Sequence, residues 1–278
     1  MLGPQDFFDL KDFAHQEIFS KDKEVWTALD RLKDYLATFF QESWPLATIT
    51  GQINKPLVIY KGEIRDDLEV KATGPKNTIQ VFMKGEIVKD VAVILPGAYL
   101  FNDTIIIGAG TVVEPGALIK GPVVIGSDTE VRQGAYLRGD CLVGNGCVVG
   151  HTTEIKGSIM LDGAKAGHFA YIGDSILGKD VNLGAGTKLA NLKMVPGSVS
   201  VWTDEKQYDT GRRKIGAILG DKTETGCNSV TSPGTMIGPH SVVLPNVSVP
   251  GGYYPGKTSF IPSQGSLRIY RRKGDALK

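Results

Sequence analysis

Three basic side chains recur at an interval of eighteen residues. Lys120, Arg138 and Lys156 each follow an aliphatic residue of a six-residue repeat, so all three are predicted to point outward from one face of the fold. Neighbouring strands lie about 4.8 Å apart, and cations at that spacing repel one another unless an anion lies among them. Phosphate is the natural anion, because charge-assisted hydrogen bonds to it are strong. The alternative is that acidic neighbours or solvent neutralise the three cations.

A histidine stands out in a second segment, the run Lys165–Asp174. His168 is flanked there by small residues and lies near Gly167, where the six-residue repeat changes phase. A neutral imidazole, with an ordinary pKa of about 6.5, accepts a proton readily near neutral pH. We therefore predict that His168 contacts a ligand and acts as a general base. A core histidine bonded to a neighbouring coil is the plain alternative.

These side chains are positioned by an aliphatic residue at every sixth position. The repeat predicts a parallel β-helix, in which three six-residue units form one triangular coil. Each coil hides its apolar side only by stacking on another, so stability requires several coils. The residue four positions later is mostly small and is also predicted to face inward, for example Ala117, Ala135 and Cys141. The ten uninterrupted aliphatic positions are Ile107, Val113, Ile119, Ile125, Val131, Leu137, Val143, Val149, Ile155 and Leu161.

The repeat also predicts the domain organisation. We expect a helical and mixed N-terminal extension over residues 1–94, the β-helix over 95–252 and a basic C-terminal tail over 253–278. The repeat is interrupted at 192–214, where we expect an inserted hairpin or loop. Long insertions in a compact fold are usually functional or disordered.

The N-terminal third has helical periodicity instead. Leu29, Leu32 and Leu36 belong to one apolar stripe, which predicts a helix that packs against the coil or against a neighbouring subunit. A shorter helix is expected before it, over about residues 7–18, and short strands are expected within 45–94.

Net charge, hydropathy and cysteine content limit the partners and the cellular location that we expect for this protein. The 278-residue chain has a formal net charge of +1, which gives no case for a nucleic-acid or membrane-surface partner. No stretch approaches the roughly 18 apolar residues of a membrane helix, and the first residues do not resemble a signal peptide. Three cysteines without a signal predict a cytoplasmic location, with Cys141 and Cys147 as buried thiols and not as a disulfide.

Several motifs carry a resemblance to a known family. They are Thr153-Glu154-Ile155-Lys156, the Lys165–Asp174 run, Val181-Asn182-Leu183-Gly184-Ala185-Gly186-Thr187, Ala190-Asn191-Leu192, and Thr210-Gly211-Arg212-Arg213-Lys214-Ile215-Gly216-Ala217. The first three resemble the acetyltransferase domain of the bifunctional N-acetylglucosamine-1-phosphate uridylyltransferase/glucosamine-1-phosphate N-acetyltransferases. The last two resemble the archaeal sugar-1-phosphate nucleotidylyltransferase/acetyltransferases, which belong to the hexapeptide-repeat acyltransferase superfamily.

This resemblance covers roughly residues 95–250. It implies a left-handed β-helix, a homotrimer with sites between subunits, and acetyl-CoA as the co-substrate. It does not extend to the nucleotidylyltransferase domain, whose Gly-rich signature is absent near the start of this chain, so we do not expect a nucleotide-sugar product.

The resemblance implies roles on the acceptor side of the site. His168 would be the general base, and Arg138 and Lys156 would hold the sugar phosphate. Tyr171 and Asn182 would contact the sugar.

Other residues would form the donor side. Ala185, Asn191 and Leu192 would line the acetyl-CoA. Cys227 stands where the bacterial family has a serine near the thioester, so that contact differs in this chain.

The predicted activity is acetyl-CoA-dependent N-acetylation of an amino-sugar 1-phosphate such as glucosamine 1-phosphate, with no metal required. The alternatives are an acyltransferase with another donor or amine acceptor, and a non-catalytic assembly or sugar-binding module. A zinc hydrolase similar to the γ-class carbonic anhydrases is a further alternative. It needs three histidines around the metal, and His151 and His168 have no closely spaced third.

Overall fold

The chain folds as a left-handed parallel β-helix of about nine turns; the aliphatic repeat predicts the parallel β-helix, and the family resemblance implies its left-handed form. The computed structural model describes residues 1–41, 44–73, 78–263 and 266–271. Parallel pairing begins at Val91–Ile94 and extends to Thr258–Ser263, while the division of the chain at 94 and 252 stays a prediction.

Three sheets form the sides of the prism. The first face comprises Gly51–Gln52, Tyr99–Leu100, Leu118–Lys120, Tyr136–Arg138, Glu154–Lys156, Tyr171–Gly173, Lys188–Leu189, Val230–Thr231 and Ser248–Val249. The second face comprises Leu57–Tyr60, Glu63–Arg65, Val91–Ile94, Val112–Val113, Glu130–Val131, Val148–His151, Lys165–His168, Asn182–Leu183, Glu224–Thr225, Val242–Val243, Thr258–Ser263 and Ser266–Arg271. The third face comprises Ile105–Ile107, Val123–Ile125, Cys141–Val143, Ser158–Met160, Ile176–Leu177, Ala217–Leu219, Thr235–Ile237 and Gly252–Tyr254.

Antiparallel strands close the two ends of the prism. Leu57–Tyr60 pairs with Val91–Ile94 at one end, and Ser266–Arg271 pairs with Thr258–Ser263 at the other. A separate antiparallel sheet of Glu69–Ala72, Ile79–Met83 and Glu86–Val88 lies before the coils. The strands expected within 45–94 are therefore confirmed. The predicted basic tail contributes the last hairpin, and residues 272–278 lie outside the described residues.

The prism interior is built from the repeating aliphatic positions. Ile119 pairs with Leu137, and Leu137 pairs with Ile155, so equivalent residues of successive coils stack in register. All three are fully buried. Cys141 and Cys147 are buried free thiols in the same core, as predicted, and burial raises the pKa of each to about 12.

The six-residue repeat changes phase at a different position from the one predicted. Val143 pairs with Met160, so Met160 occupies the inward position that the repeat assigned to Leu161. Leu161 packs instead in the cluster outside the prism. The reason is a corner shortened by one residue at Gly157, which has a left-handed φ of 52°. The slip therefore begins before Gly167.

The predicted apolar stripe forms the helix Thr27–Ala37, which packs against the coil. Leu29, Leu32 and Leu36 are buried in one cluster with outward residues of the third face, including Leu142. Removing such side chains from water is the main stabilising term for this contact. The shorter helix expected over about 7–18 is wrong: this stretch follows the 3-10 turn Pro4–Asp6, contains the 3-10 turn Gln16–Ile18, and is otherwise irregular.

The insertion at 192–214 forms the predicted hairpin, with strands Ser200–Trp202 and Gln207–Asp209. It is tied to the N-terminal helix by an ion pair between Arg212 and Asp30. No helix in the described part of the chain combines the length and the hydropathy that a bilayer crossing requires.

Candidate active site

The basic residues of the first face lie in consecutive coils, as their interval predicts. Lys120 is the register partner of Arg138. The aliphatic residues that precede Arg138 and Lys156, which are Leu137 and Ile155, are partners in the next ladder. Because those aliphatic side chains point inward, the three basic side chains form an outward column, named here the basic column.

Two cations of the basic column have acidic partners. Arg138 Nη1 lies 2.5 Å from Glu154 Oε1, and Lys156 Nζ lies 2.8 Å from Asp174 Oδ2. The hydrogen bond to Glu154 raises the pKa of Arg138 above its ordinary value. Acidic neighbours, the alternative weighed from the sequence, therefore pair with two of the three cations. Phosphate binding by the column stays a prediction.

A hydrogen-bonded network extends inward from Lys156. Asp174 Oδ2 accepts hydrogen bonds from Lys156 Nζ and from the amide nitrogen of Asn191. The Tyr171 hydroxyl donates to Asn191 Oδ1 at 3.3 Å. A Cβ on Gly173 would lie 2.7 Å from both Asn191 Nδ2 and Tyr171 Oη, so a larger residue there would force these side chains to move. The network joins residues that the sequence assigned to the acceptor and donor sides.

His168 is exposed at the corner where the second face turns into the first. The plain alternative of a core histidine is therefore wrong. Its register partner is His151, whose Nδ1 lies 3.0 Å from the carbonyl oxygen of Gln133. Because a carbonyl only accepts, this bond places the proton on Nδ1 of His151. The exposed ring of Phe169 lies 5.2 Å from the ring of His151 and 6.3 Å from that of His168, centroid to centroid.

Ala185 and Cys227, two predicted donor-side residues, occupy the same corner position as His168 in the following coils. The amide of Gly186 donates to the carbonyl of His168 at 3.0 Å, and the amide of Asn228 donates to the carbonyl of Ala185 at 2.8 Å. Successive coils therefore place His168, Ala185 and Cys227 one after another along the prism. Cys227 is an exposed free thiol, so a ligand can reach it.

Two other predicted residues lie apart from this group within the protomer. Asn182 is exposed on the second face between its register partners Lys165 and Glu224. Leu192 lines a surface groove of about 390 Å³ together with Trp202 of the insertion. No hydrogen bond connects Asn182 or Leu192 to the basic column among the described residues.

Sequence reasoning assigned no role to several residues of the site. Glu154 and Asp174 follow Arg138 and Lys156 by about one coil, so an acid at the coil interval after each cation was a usable signal. The contacts of the Phe169 ring with His151 and His168 had no such signal in the sequence, because the course of the backbone at the corner sets the position of the ring. Among the described residues, no group of three or more His, Cys, Asp or Glu side chains is arranged to hold a metal ion.

Comparison with known proteins finds that this chain is similar to acetyltransferases. Residues 119–226 match the family model of the GMPPB C-terminal domain. The chain is 39% identical over 154 residues to an uncharacterized acetyltransferase, YaiX, of Escherichia coli, covering 54% of this chain and 67% of that protein.

A second relative matches a shorter part of the chain. The bifunctional sugar-1-phosphate nucleotidylyltransferase/acetyltransferase of Sulfurisphaera tokodaii is 40% identical over 101 residues, or 36% of this chain. The match spans only 25% of that relative's length. Among solved structures, the polysialic acid O-acetyltransferase OatWY is similar over 63% of this chain, with 14% identity and a TM-score of 0.35.

Proposed function

This chain belongs to the hexapeptide-repeat acetyltransferases, and we propose that it transfers the acetyl group of acetyl-CoA to the amine of an amino-sugar 1-phosphate. The main support is the exposed imidazole of His168 at the corner where the first face begins, together with the basic column, whose residues lie where the strands of that face end. An exposed base and outward guanidinium and ammonium groups at the two edges of one face suit an acceptor that carries both an amine and a phosphate.

The chemical step follows from the amine. As its nitrogen bonds to the thioester carbonyl carbon, the amine must lose a proton, and the neutral imidazole of His168 accepts it. The carbon–sulfur bond then breaks, and the CoA sulfur leaves and is protonated to the thiol. The products are the amide and free CoA thiol, so no metal and no redox partner is needed.

Arg138 and Lys156 would bind the phosphate. Lys156 has three N–H donors, of which Asp174 takes one, so two remain for phosphate oxygens. Glu154 binds Nη1 of Arg138, so the ligand would use the remaining guanidinium donors or displace Glu154, which the exposure of this ion pair permits. Tyr171 would add a hydroxyl contact to the sugar.

Ala185, Asn191, Leu192 and Cys227 would line the path of acetyl-CoA. Ala185 and Cys227 follow His168 along the prism, so a thioester lying along this corner passes the base. Acetyl-CoA should therefore slow the modification of Cys227 by a thiol reagent. No slowing at a saturating concentration would place the donor elsewhere.

A homotrimer would complete the site. The N-terminal helix covers the third face, whereas Arg138 and Asn182 project from the first and second faces. Packing the first face of one protomer near the second face of another would bring Asn182 toward the basic column of a neighbour. Light scattering should give three times the monomer mass, and a stable monomer at micromolar concentration would argue against a shared site.

The test is a panel of phosphorylated and unphosphorylated amino sugars, assayed by release of CoA thiol. His168→Asn should lower kcat by about 10²- to 10⁴-fold with little change in CoA affinity. His240→Asn, at an exposed corner elsewhere on the prism, is the matched control and should keep normal turnover.

Three outcomes would redirect the assignment. A folded His168→Asn variant that keeps more than about a tenth of the rate would exclude His168 as the base. Turnover with another acyl donor or amine would favour the broader acyltransferase alternative. Absence of CoA binding would favour a non-catalytic assembly or sugar-binding module.

A further inference from the structure

Asp174 is a buried carboxylate that touches both sides of the site. Its side chain is 12% exposed, and its Oδ2 accepts hydrogen bonds from Lys156 and Asn191. We propose that Asp174 is a positioning residue that aligns the acceptor with the acyl donor, an inference that rests on the proposed acetyl transfer. It acts through its two neighbours and does not itself touch either substrate.

The carboxylate determines which way the Asn191 amide points. A carboxylate oxygen without a proton only accepts hydrogen bonds, so the amide nitrogen must face Asp174. The amide oxygen is thereby turned toward the Tyr171 hydroxyl, which donates to it at 3.3 Å. One charge thus orients both a donor-side amide and an acceptor-side hydroxyl.

The same oxygen holds the ammonium group of Lys156. The Nζ–Oδ2 distance is 2.8 Å, and the Lys156 side chain is 22% exposed, so this ion pair is shielded more than the pair between Arg138 and Glu154. A shielded pair is disrupted less readily by a ligand than an exposed one. Asp174 therefore keeps Lys156 in place while leaving two of its donors for phosphate.

The backbone holds Asp174 in a conformation that suits only a few residue types. Its φ is 47°, in the left-handed region, and its carbonyl accepts the amide of Gly216 at 2.8 Å. Aspartate and asparagine tolerate this region better than other residues with a Cβ. Asp174→Asn therefore removes the charge and adds little backbone strain.

The experiment compares Asp174→Asn with Asp140→Asn. Asp140 lies at the same corner in an earlier coil, also with a left-handed φ of 50°, and provides the matched control. Initial rates are measured with both substrates varied, so that each KM is separated from kcat. Asp174→Asn should raise the KM of both the phosphorylated acceptor and acetyl-CoA, each by at least about 10-fold, because a charged hydrogen bond is lost on each side. Asp140→Asn should leave both values unchanged.

A purely structural Asp174 would behave differently. Its loss would lower the melting temperature and the active fraction, which reduces apparent kcat but leaves both KM values within about 2-fold of the wild type. That result would overturn the inference, as would a rise in only one KM. If the wild-type chain releases no CoA thiol with any acceptor, the proposed function itself fails. That failure is distinguishable from failure of the inference, because it is seen before any variant is measured.

A second variant keeps the inference testable should Asp174→Asn not fold. Asn191→Leu preserves the shape of the side chain and removes its bonds to Asp174 and Tyr171. Asn191 is assigned to the donor side. If it contacts acetyl-CoA independently of Asp174, Asn191→Leu should change only the KM for acetyl-CoA. The alignment network predicts that the acceptor KM rises as well, by at least about 3-fold. An unchanged acceptor KM would overturn the alignment role.

Discussion

The ion pair between Arg138 and Glu154 yields a prediction in which its two partners have opposite effects. If Arg138 binds phosphate, Glu154 competes with the ligand for the guanidinium group. Glu154→Gln should therefore lower the KM for a phosphorylated acceptor, whereas Arg138→Met should raise it. If the pair has only a structural role, both substitutions should shift the KM for the phosphorylated acceptor in the same direction.

The magnitudes follow from exposure. The side chains of Arg138 and Glu154 are 43% and 33% exposed, so the pair is largely screened by solvent. Exposed pairs contribute about 0.2–1 kcal/mol, so freeing Arg138 should lower the KM by roughly 1.4- to 5-fold. Losing the charged contact to phosphate costs about 1.5–3 kcal/mol, so Arg138→Met should raise the KM by roughly 10- to 150-fold.

The assay is CoA thiol release at low ionic strength, with the acceptor varied at saturating acetyl-CoA. Glu130→Gln is the control, because Glu130 forms a similar 2.7 Å pair with Arg132 on the second face. Added salt should shrink the gain from Glu154→Gln, since screening weakens the competition that it removes. A higher KM in Glu154→Gln, or an unchanged one in Arg138→Met, would refute the reasoning.

Three further predictions concern stability and reactivity. Leu32→Ala should lower the free energy of unfolding by about 2–5 kcal/mol in urea titration, because Leu32 is 1% exposed in the cluster between helix and third face. A thiol reagent at pH 8 should modify Cys227 rapidly in the native protein, while Cys141 and Cys147 react only after unfolding, since burial raises their pKa to about 12. Burial lowers the pKa of His15 from 6.5, so protonation favours the unfolded chain and stability should fall as the pH drops below about 6.5. His15→Gln should reduce that slope in melting temperatures measured from pH 5 to 7.5, and an equal slope would exclude His15 as its source.

The fold could be predicted from the sequence because its driving pattern is local and repeated. An aliphatic residue at every sixth position has only one way to become buried along the whole chain, which is to stack coil on coil. The same logic predicted the helical stripe around Leu32 and the buried state of Cys141. It failed at Leu161, because one residue missing at the Gly157 corner shifts every later position without changing the type of residue that recurs.

The outward side of the site was predictable only in part. A fixed coil length places Lys120 and Arg138 in neighbouring coils, so that the basic column follows from spacing alone. The exposure of His168 and the partners of the basic side chains did not follow from the spacing of residues. Spacing along the chain says which residues share a face, and it does not say which hydrogen bonds their side chains form across a corner.

The sequence by itself therefore determined the β-helix, the inward positions and the order of the basic column, because each depends on a period that every coil repeats. Tertiary structure alone decided that Asp174 joins Lys156 to Asn191, and that the helix covers the third face and leaves the His168 corner open. Those contacts join residues from different coils or different elements. Their geometry depends on corner conformations and packing angles that no periodic pattern of residue types encodes.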